Sequence, residues 1–427
     1  MFNYLYNGKD LTVLRECGKK GRIMKITAVT NARVFDGEQV IGARTVVLDG
    51  AGIGAVGGPV PPGATVVDAG GGTLLPGLID SHVHTDLAGL RLALRFGVTT
   101  ELEMMGHWTP EERAAIAGDD VADLRSAGMG ITPPGGHPSE YGPPADAFPD
   151  DGPPPGFAFP FCSTPAEAAK MIEQQVAEGY DYVKVMIEDG TVVGHPGLPV
   201  ISDDVLAAAV REAHRHGKLA IAHATTIDGA RRAVRAGIDG LGHLFADGPA
   251  TPDIVADIAS AGTFVIPTLT VLSSATGHAG AAFAADERVS SKLSTQWLDA
   301  LRGCMNVYPQ GDLDDPLGAV AALHAAGVDI LTGTDVSGPD PAFGGMAHGA
   351  SVHHELQLLV TAGLTPVQAL QAATATPARR FGLTDRGRIT PGARADLLLV
   401  DGDPTTTIAD TLSIRAVWRR GVRQAPA

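Results

Sequence analysis

The chain has 427 residues, 44% hydrophobic and 19% charged, which exceeds one ordinary domain and excludes a largely disordered chain. Lys and Arg total 32 against 48 Asp and Glu, so the formal charge of −16 repels phosphate backbones and anionic membranes and excludes nucleic acid as an expected partner. Cys17, Cys162 and Cys304 are too few and too widely spaced for a disulfide framework, which fits a reducing cytoplasm.

Residues 1–24 mix aromatic, charged and glycine residues without the continuous apolar segment of a secretory signal or membrane span, and are read as an N-terminal extension outside the core. Residues 25–72 carry short β-branched runs such as Thr45 to Leu48 and Thr65 to Val67, punctuated by Gly and Pro. Gly50, Gly52, Gly54 and Gly57 imitate a dinucleotide loop, but Pro59, Pro61 and Pro62 fall where its helix would start, so a hairpin turn is predicted. A matching strand-rich stretch, residues 386–427, closes the chain. The two ends together are expected to form a small discontinuous β-sandwich.

Between them, residues 73–385 alternate apolar strand-like runs with Ala-rich helical stretches, the pattern of parallel strands joined by crossover helices. Eight runs are predicted, roughly Leu74 to His82, Val98 to Met104, Gly128 to Thr132, Tyr182 to Ile187, Leu219 to His223, Gly240 to His243, Phe264 to Thr268 and Asp329 to Thr334. The fold class is therefore α/β, a TIM barrel. Such a barrel concentrates reactive groups at the C-terminal ends of its strands, and His82, His84, Lys184, His223, His243 and Asp335 all fall there. The Pro-rich stretch 137–160 cannot be regular helix or central strand, and its place at the rim predicts a lid. The Ala-rich connection from Val271 to Gly327 is expected to fold into helices over the same mouth.

The chemistry starts at His82 and His84. Two residues apart on an extended segment, they project to one face and can share a metal ion. An isolated pair of this kind more often only hydrogen-bonds; the four later groups reverse that balance. Lys184 lies in the apolar run Tyr182 to Met186, where an ammonium would be desolvated at considerable cost unless its stem reached outward to water. As a cation it cannot be a ligand, but its neutral amine reacts with carbon dioxide to give a carbamate whose two oxygens can bridge two metals. His223 and His243 each end a short apolar run, and either alone reads as a hydrogen-bonded core histidine. With the first pair they supply four nitrogen donors from three strands. Asp335, otherwise a turn residue, can bind metal and accept a proton from metal-bound water.

Together these residues resemble the amidohydrolase superfamily, in its binuclear subgroup with a carboxylated lysine, near the imidazolonepropionase-like and Xaa-Pro dipeptidase-like branch. The resemblance runs from about residue 26 to 422 and includes His348, Gly349 and Glu355, and the tail Asp385, Gly387, Ile389, Pro391, Gly392, Ala395, Asp396 and Leu397. It implies two divalent metal ions, zinc by default. His82, His84 and Asp335 would bind the first, His223 and His243 the second, and N6-carboxylated Lys184 would bridge them. The implied reaction is attack of a metal-bridging hydroxide on a C–N amide-type bond of a small molecule, such as a dipeptide, N-acyl amino acid or cyclic amide, with Asp335 as proton shuttle. Deaminases of the superfamily are generally mononuclear and lack the strand-four lysine, so ring deamination is the second reading; a non-catalytic barrel that only binds is the third. His137, His348, His107 and Trp108 are expected near the substrate. His353, His354 and Glu355 are expected to solvate or buttress a helix, and His214 and His216 to interact with a helix dipole. A cytoplasmic hydrolase is expected, its assembly left open between monomer and homo-oligomer.

Overall fold

The computed structural model describes residues 26–141 and 160–425. The N-terminal extension and most of the Pro-rich stretch lie outside the described residues.

The first strands are β1 (Ile26–Phe35), β2 (Val40–Asp49), β3 (Gly52–Val56), β4 (Thr65–Asp68) and β5 (Thr73–Pro76). The last three are β13 (Leu397–Val400), β14 (Ile414–Arg419) and β15 (Val422–Arg423). These eight form one mixed sheet of order β15-β14-β13-β5-β1-β2-β3, with β4 beside β1. Strands from the two ends of the described residues therefore pair with one another in one hydrogen-bonded sheet. The glycine run after β2 is the expected hairpin, with Asp49 opposite Gly52. Val29, Val46, Leu74, Leu397 and Trp418 fill a core belonging to this sheet.

The remaining strands are β6 (Leu78–Val83), β7 (Val98–Glu103), β8 (Asp123–Ser126), β9 (Val183–Met186), β10 (Ala220–His223), β11 (Gly240–Leu241) and β12 (Phe264–Val265). They form two parallel sheets, β6-β7-β8 and β9 to β12 in order. Single bridges join Ile131 to Val185, Val265 to Ile330 and Val83 to Val336. The predicted eight-stranded closed ladder is thus present as two ladders linked by isolated bridges. The eighth run, around Asp329 to Thr334, forms no strand of its own. The third strand lies earlier than predicted, with only Ile131 of the expected run bridging.

The run from Leu74 to His82 is two strands, because the chain leaves the terminal sheet at Pro76 and enters the parallel set at Leu78. Gly77 permits this crossing. A Cβ there would lie 2.2 Å from Thr99 Oγ1, too close for any side chain. Asp123, at the start of β8, holds the two parts together. Its carboxylate meets the guanidinium groups of Arg386, Arg394 and Arg419, all from the C-terminal segment.

The helices follow from local signals. In the helix Asp203–Arg215, Val205, Leu206, Ala209, Val210 and Ala213 recur on one face and are buried, while Ser202 accepts a hydrogen bond from the Val205 amide and caps the start. Burying each such Val or Leu is worth roughly 1.5–3 kcal/mol. His214 sits in the last turn of that helix and His216 caps it, the helix-end placement expected for both. Between β12 and Ile330 the chain forms the helices Leu269–Ala275, Ala281–Ala284, Glu287–Ser290, Thr295–Arg302 and Asp314–Ala325. No helix among the described residues is long and apolar enough to cross a membrane.

Candidate active site

At the C-terminal end of the parallel strands lies a cavity of about 450 Å³, and His82, His84, Lys184, His223, His243 and Asp335 all line it. Six side chains separated by up to 253 positions in sequence are brought to one pocket by the order of the strands. His82 Nε2 and His84 Nε2 each lie 3.2 Å from Asp335 Oδ1. Lys184 Nζ lies 3.3 Å from His82 Nε2. The imidazole of His243 stands 4.4 Å, centroid to centroid, from those of both His82 and His223.

Backbone shape makes this approach feasible. A Cβ at Gly242 would lie 2.8 Å from Lys184 Nζ, and one at Gly333 would lie 2.9 Å from His82 Cβ. Asp335 itself adopts φ 60°, a left-handed conformation uncommon for a non-glycine residue. Its amide donates to the His82 carbonyl at 2.7 Å, which holds the turn.

The second nitrogen of three imidazoles is held from outside the cluster. His84 Nδ1 donates to the Met105 carbonyl at 3.1 Å, and His243 Nδ1 pairs with Thr268 Oγ1 at 2.8 Å. His223 Nε2 donates to Glu188 Oε2 at 2.9 Å, and the Thr225 hydroxyl donates to that same oxygen. A neutral imidazole donating through one nitrogen offers a lone pair on the other, which is the form a metal takes.

Electrostatics point the same way. Burial, assisted by the Lys184 charge, pulls the His82 pKa down to about 3, and burial with the neighbouring His137 lowers His223 to about 4. His243 is held well below its ordinary value by burial and by His223. These three imidazoles are neutral at pH 7. His84 differs: burial lowers it, but hydrogen bonding to Asp335 and that carboxylate's charge outweigh burial and raise its pKa. For Asp335 the cost of burial is outweighed by His82 and His243, so its carboxyl is held well below the usual range. Lys184 is 1% exposed, and burial lowers its amine to about 7 against the opposing pull of Asp335. Among the described residues it forms no ion pair with a carboxylate.

Three of these donors converge closely enough to hold a divalent metal ion. Ligand atoms of His82, His243 and Asp335 all lie within 4.8 Å of one another, and neutral imidazole with an ionised carboxylate is the usual zinc ligand chemistry.

Of the residues expected near substrate, His107, Trp108 and His137 line the cavity. His137 packs its ring 4.4 Å from that of His223 and pairs with Glu140 at 2.5 Å. Trp108 donates its indole N–H to buried Glu103 at 2.7 Å. His348 does not line the cavity: it is 2% exposed and its Nδ1 meets Glu101 Oε1 at 3.2 Å. His353 is buried, pairing with Thr411 Oγ1 and the Phe96 carbonyl, and Glu355 accepts the amides of Leu269 and Thr270, so both buttress. Glu188, Thr268 and Glu103 had not been singled out in the sequence. Glu188 lies just past the strand that carries Lys184, where a carboxylate could have been noticed; Thr268 and Glu103 carry no such signal.

The sequence profile of the amidohydrolase family matches residues 73–423, and the chain belongs to that family. Imidazolonepropionase of Deinococcus deserti is 39% identical over 106 residues, which are 24% of this chain and 25% of that protein. The matched region thus spans only a quarter of that relative. Ochratoxinase of Aspergillus niger is 26% identical over 392 residues, 82% of this chain and 75% of the relative. Among solved structures, a Xaa-Pro dipeptidase with methionine bound in its active site superposes with a TM-score of 0.71 at 21% identity, covering 94% of this chain and 100% of that one. At that identity the likeness shows the fold, which is of the TIM-barrel type.

Proposed function

We propose that the protein is a binuclear metal-dependent hydrolase that cleaves a C–N, amide-type bond in a small molecule such as a dipeptide, N-acyl amino acid or cyclic amide. The observation that carries this reading is the buried Lys184 amine, which has no carboxylate ion-pair partner among the described residues and stands against His82, beside the neutral imidazoles of His223 and His243. A lysine in that position is costly unless it is modified or used. His82, His84 and Asp335 would hold one metal ion, zinc by default, and His223 and His243 a second. Lys184, with a pKa of about 7, is substantially unprotonated at neutral pH. Its amine can add to carbon dioxide and release a proton, giving the carbamate that would bridge the two ions. When bound, the ions polarise the scissile carbonyl and lower the pKa of water. Asp335 is ionised and placed between His82 and His84, so it can take the proton of the attacking water and pass it to the leaving nitrogen. Trp108 and His137 border the space that the substrate would enter. The cysteine usage supports a cytoplasmic location.

Two variants test the assignment. Asp335→Asn is expected to retain much of its metal while turnover falls roughly 10²–10⁴-fold. Lys184→Ala is expected to lose metal and activity together, with partial recovery on adding a short carboxylic acid. Metal content near two per chain separates this reading from a mononuclear ring deaminase. Full activity in Lys184→Ala would refute the bridge.

A further inference from the structure

Resting on the hydrolase reading above, we infer that the substrate's flank, the part beyond the scissile bond, is apolar and uncharged, so that anilide-like amides are preferred over carboxylate-bearing dipeptides and N-acyl amino acids. The argument comes from what surrounds the six-residue cluster. Met105, Met129, Met186, Met305 and Met346 contribute thioethers to the cavity wall, and Phe343 adds a ring. Flexible methionines and aromatic rings fit a planar or branched hydrocarbon group and offer a carboxylate no partner. Among the described residues Lys184 is the only lysine lining the cavity and no arginine lines it, and Lys184 is engaged with His82 at its floor.

Four carboxyl groups line it beyond the cluster: Asp86, Glu112 and Asp340, and Glu103, whose burial holds its pKa up at about 7. An anionic flank would be desolvated among thioethers and repelled by these carboxylates, with no guanidinium to receive it. The stretch 142–159 contains no lysine or arginine, and its only charged residues are Asp146, Asp150 and Asp151. Selection against an anion here arises from repulsion and from the lack of a guanidinium among the described lining residues, the donors left to receive it including His107, Tyr141 and His137, the last already paired with Glu140, and not from a better fit to the preferred molecule.

The experiment compares acetanilide with 4-acetamidobenzoate, which differ by one carboxylate at the far end of the ring. Binding is measured separately, by calorimetry on the full-length chain, with the carba analogues in which CH2 replaces the amide NH. The expected result is that the uncharged member is favoured at least tenfold in both kcat/KM and Kd. Val193→Arg, which places a cation at the cavity wall, is expected to narrow that ratio by raising the carboxylate member. Equal or tighter binding of the carboxylate analogue overturns the inference. Absence of hydrolysis of either amide, together with tenfold selective binding of the uncharged analogue, would instead refute the hydrolase reading while supporting the pocket's charge selection.

Discussion

Gly242→Ala is a one-carbon test of whether the position of Lys184 matters. Gly242 lies between β11 and His243, with no left-handed φ, so alanine suits its backbone. The added Cβ would stand 2.8 Å from Lys184 Nζ, 3.1 Å from the Ala222 carbonyl and 3.4 Å from His82 Cε1. Ordinary contact distances begin near 3.5 Å, so Nζ must retreat by roughly 0.7 Å. The end of a lysine side chain can do this at modest cost, and overpacking of about 1 kcal/mol is expected, a Tm change of only a few degrees. Function should respond more strongly. A displacement approaching 1 Å can cost about 10²-fold, which is about 2.7 kcal/mol of transition-state stabilisation. Bound metal per chain, measured by elemental analysis, should fall alongside kcat/KM. Gly248→Ala is the control, because its Cβ would meet nothing closer than Ile227 Cδ1 at 3.9 Å. Wild-type metal content and turnover in Gly242→Ala would refute the proposed dependence on this lysine's position.

Three further outcomes follow from the same coordinates. In metal-free protein, His82 and His223 titrate at about 3 and about 4, and His243 well below its ordinary value, against roughly 6.5 in the unfolded chain. At these three groups the unfolded state therefore binds more protons between about pH 4 and 6.5, so each withdraws stability as pH drops, by up to roughly 1.4 kcal/mol per pH unit, and His353, lowered to about 4, does the same. His84, whose pKa is raised, and Glu103 and Glu355, both held up at about 7 by burial, oppose this in the same window; imidazole resonances of His82 and His223 that titrate near 6.5 in chelated protein would contradict the burial argument. Asp123→Asn removes the one carboxylate among the described residues that meets all three of Arg386, Arg394 and Arg419, leaving Asp385 and Asp396 to two each, and should cost about 3 kcal/mol, read by urea unfolding, whereas a wild-type midpoint would show the network to be dispensable. Gly318→Ala, at an exposed position inside the helix Asp314–Ala325 with nothing within 4 Å of its Cβ, should stabilise by roughly 0.5–1 kcal/mol, and a lowered Tm would count against the helix assignment.

The parallel strands were legible because strands covered on both faces read as short apolar runs, and each functional residue stands where such a run stops. His82 and His84 obey the two-residue strand period, which sequence displays directly. Less could be read where structure depends on partners distant in sequence. Leu74 to Ile79 carries no polar side chain, so nothing in its pattern announces that Gly77 carries the chain from one sheet to another. The third strand was displaced because Asp123 to Ser126 is polar and draws its place from pairing with β7 and from the arginines around Asp123. His348 was expected to face substrate, yet its neighbour is Glu101, 247 residues away, a pairing no local pattern reveals.

The outer contacts of the imidazoles follow a rule that connects fold to chemistry. His84 follows β6 and is held by Met105, just past β7; His223 ends β10 and is held by Glu188, just past β9; His243 follows β11 and is held by Thr268, just past β12. Each histidine is thus fixed by the loop of the neighbouring strand, so ligand geometry depends on neighbouring strands being in register. Glu355 extends this by one layer, because its carboxylate holds the two amides that follow Thr268. His82 is the exception. Its buried Nδ1 has no hydrogen-bond partner among the described residues, and its ring is positioned by packing against the glycines at 242 and 333. Three imidazoles are therefore held on their second nitrogen from outside the cluster, and the fourth only by packing and by its contacts with Asp335 and Lys184 inside it, which is why a single methyl group at position 242 should reach the cluster through Lys184 and His82 while the other three outer contacts remain intact.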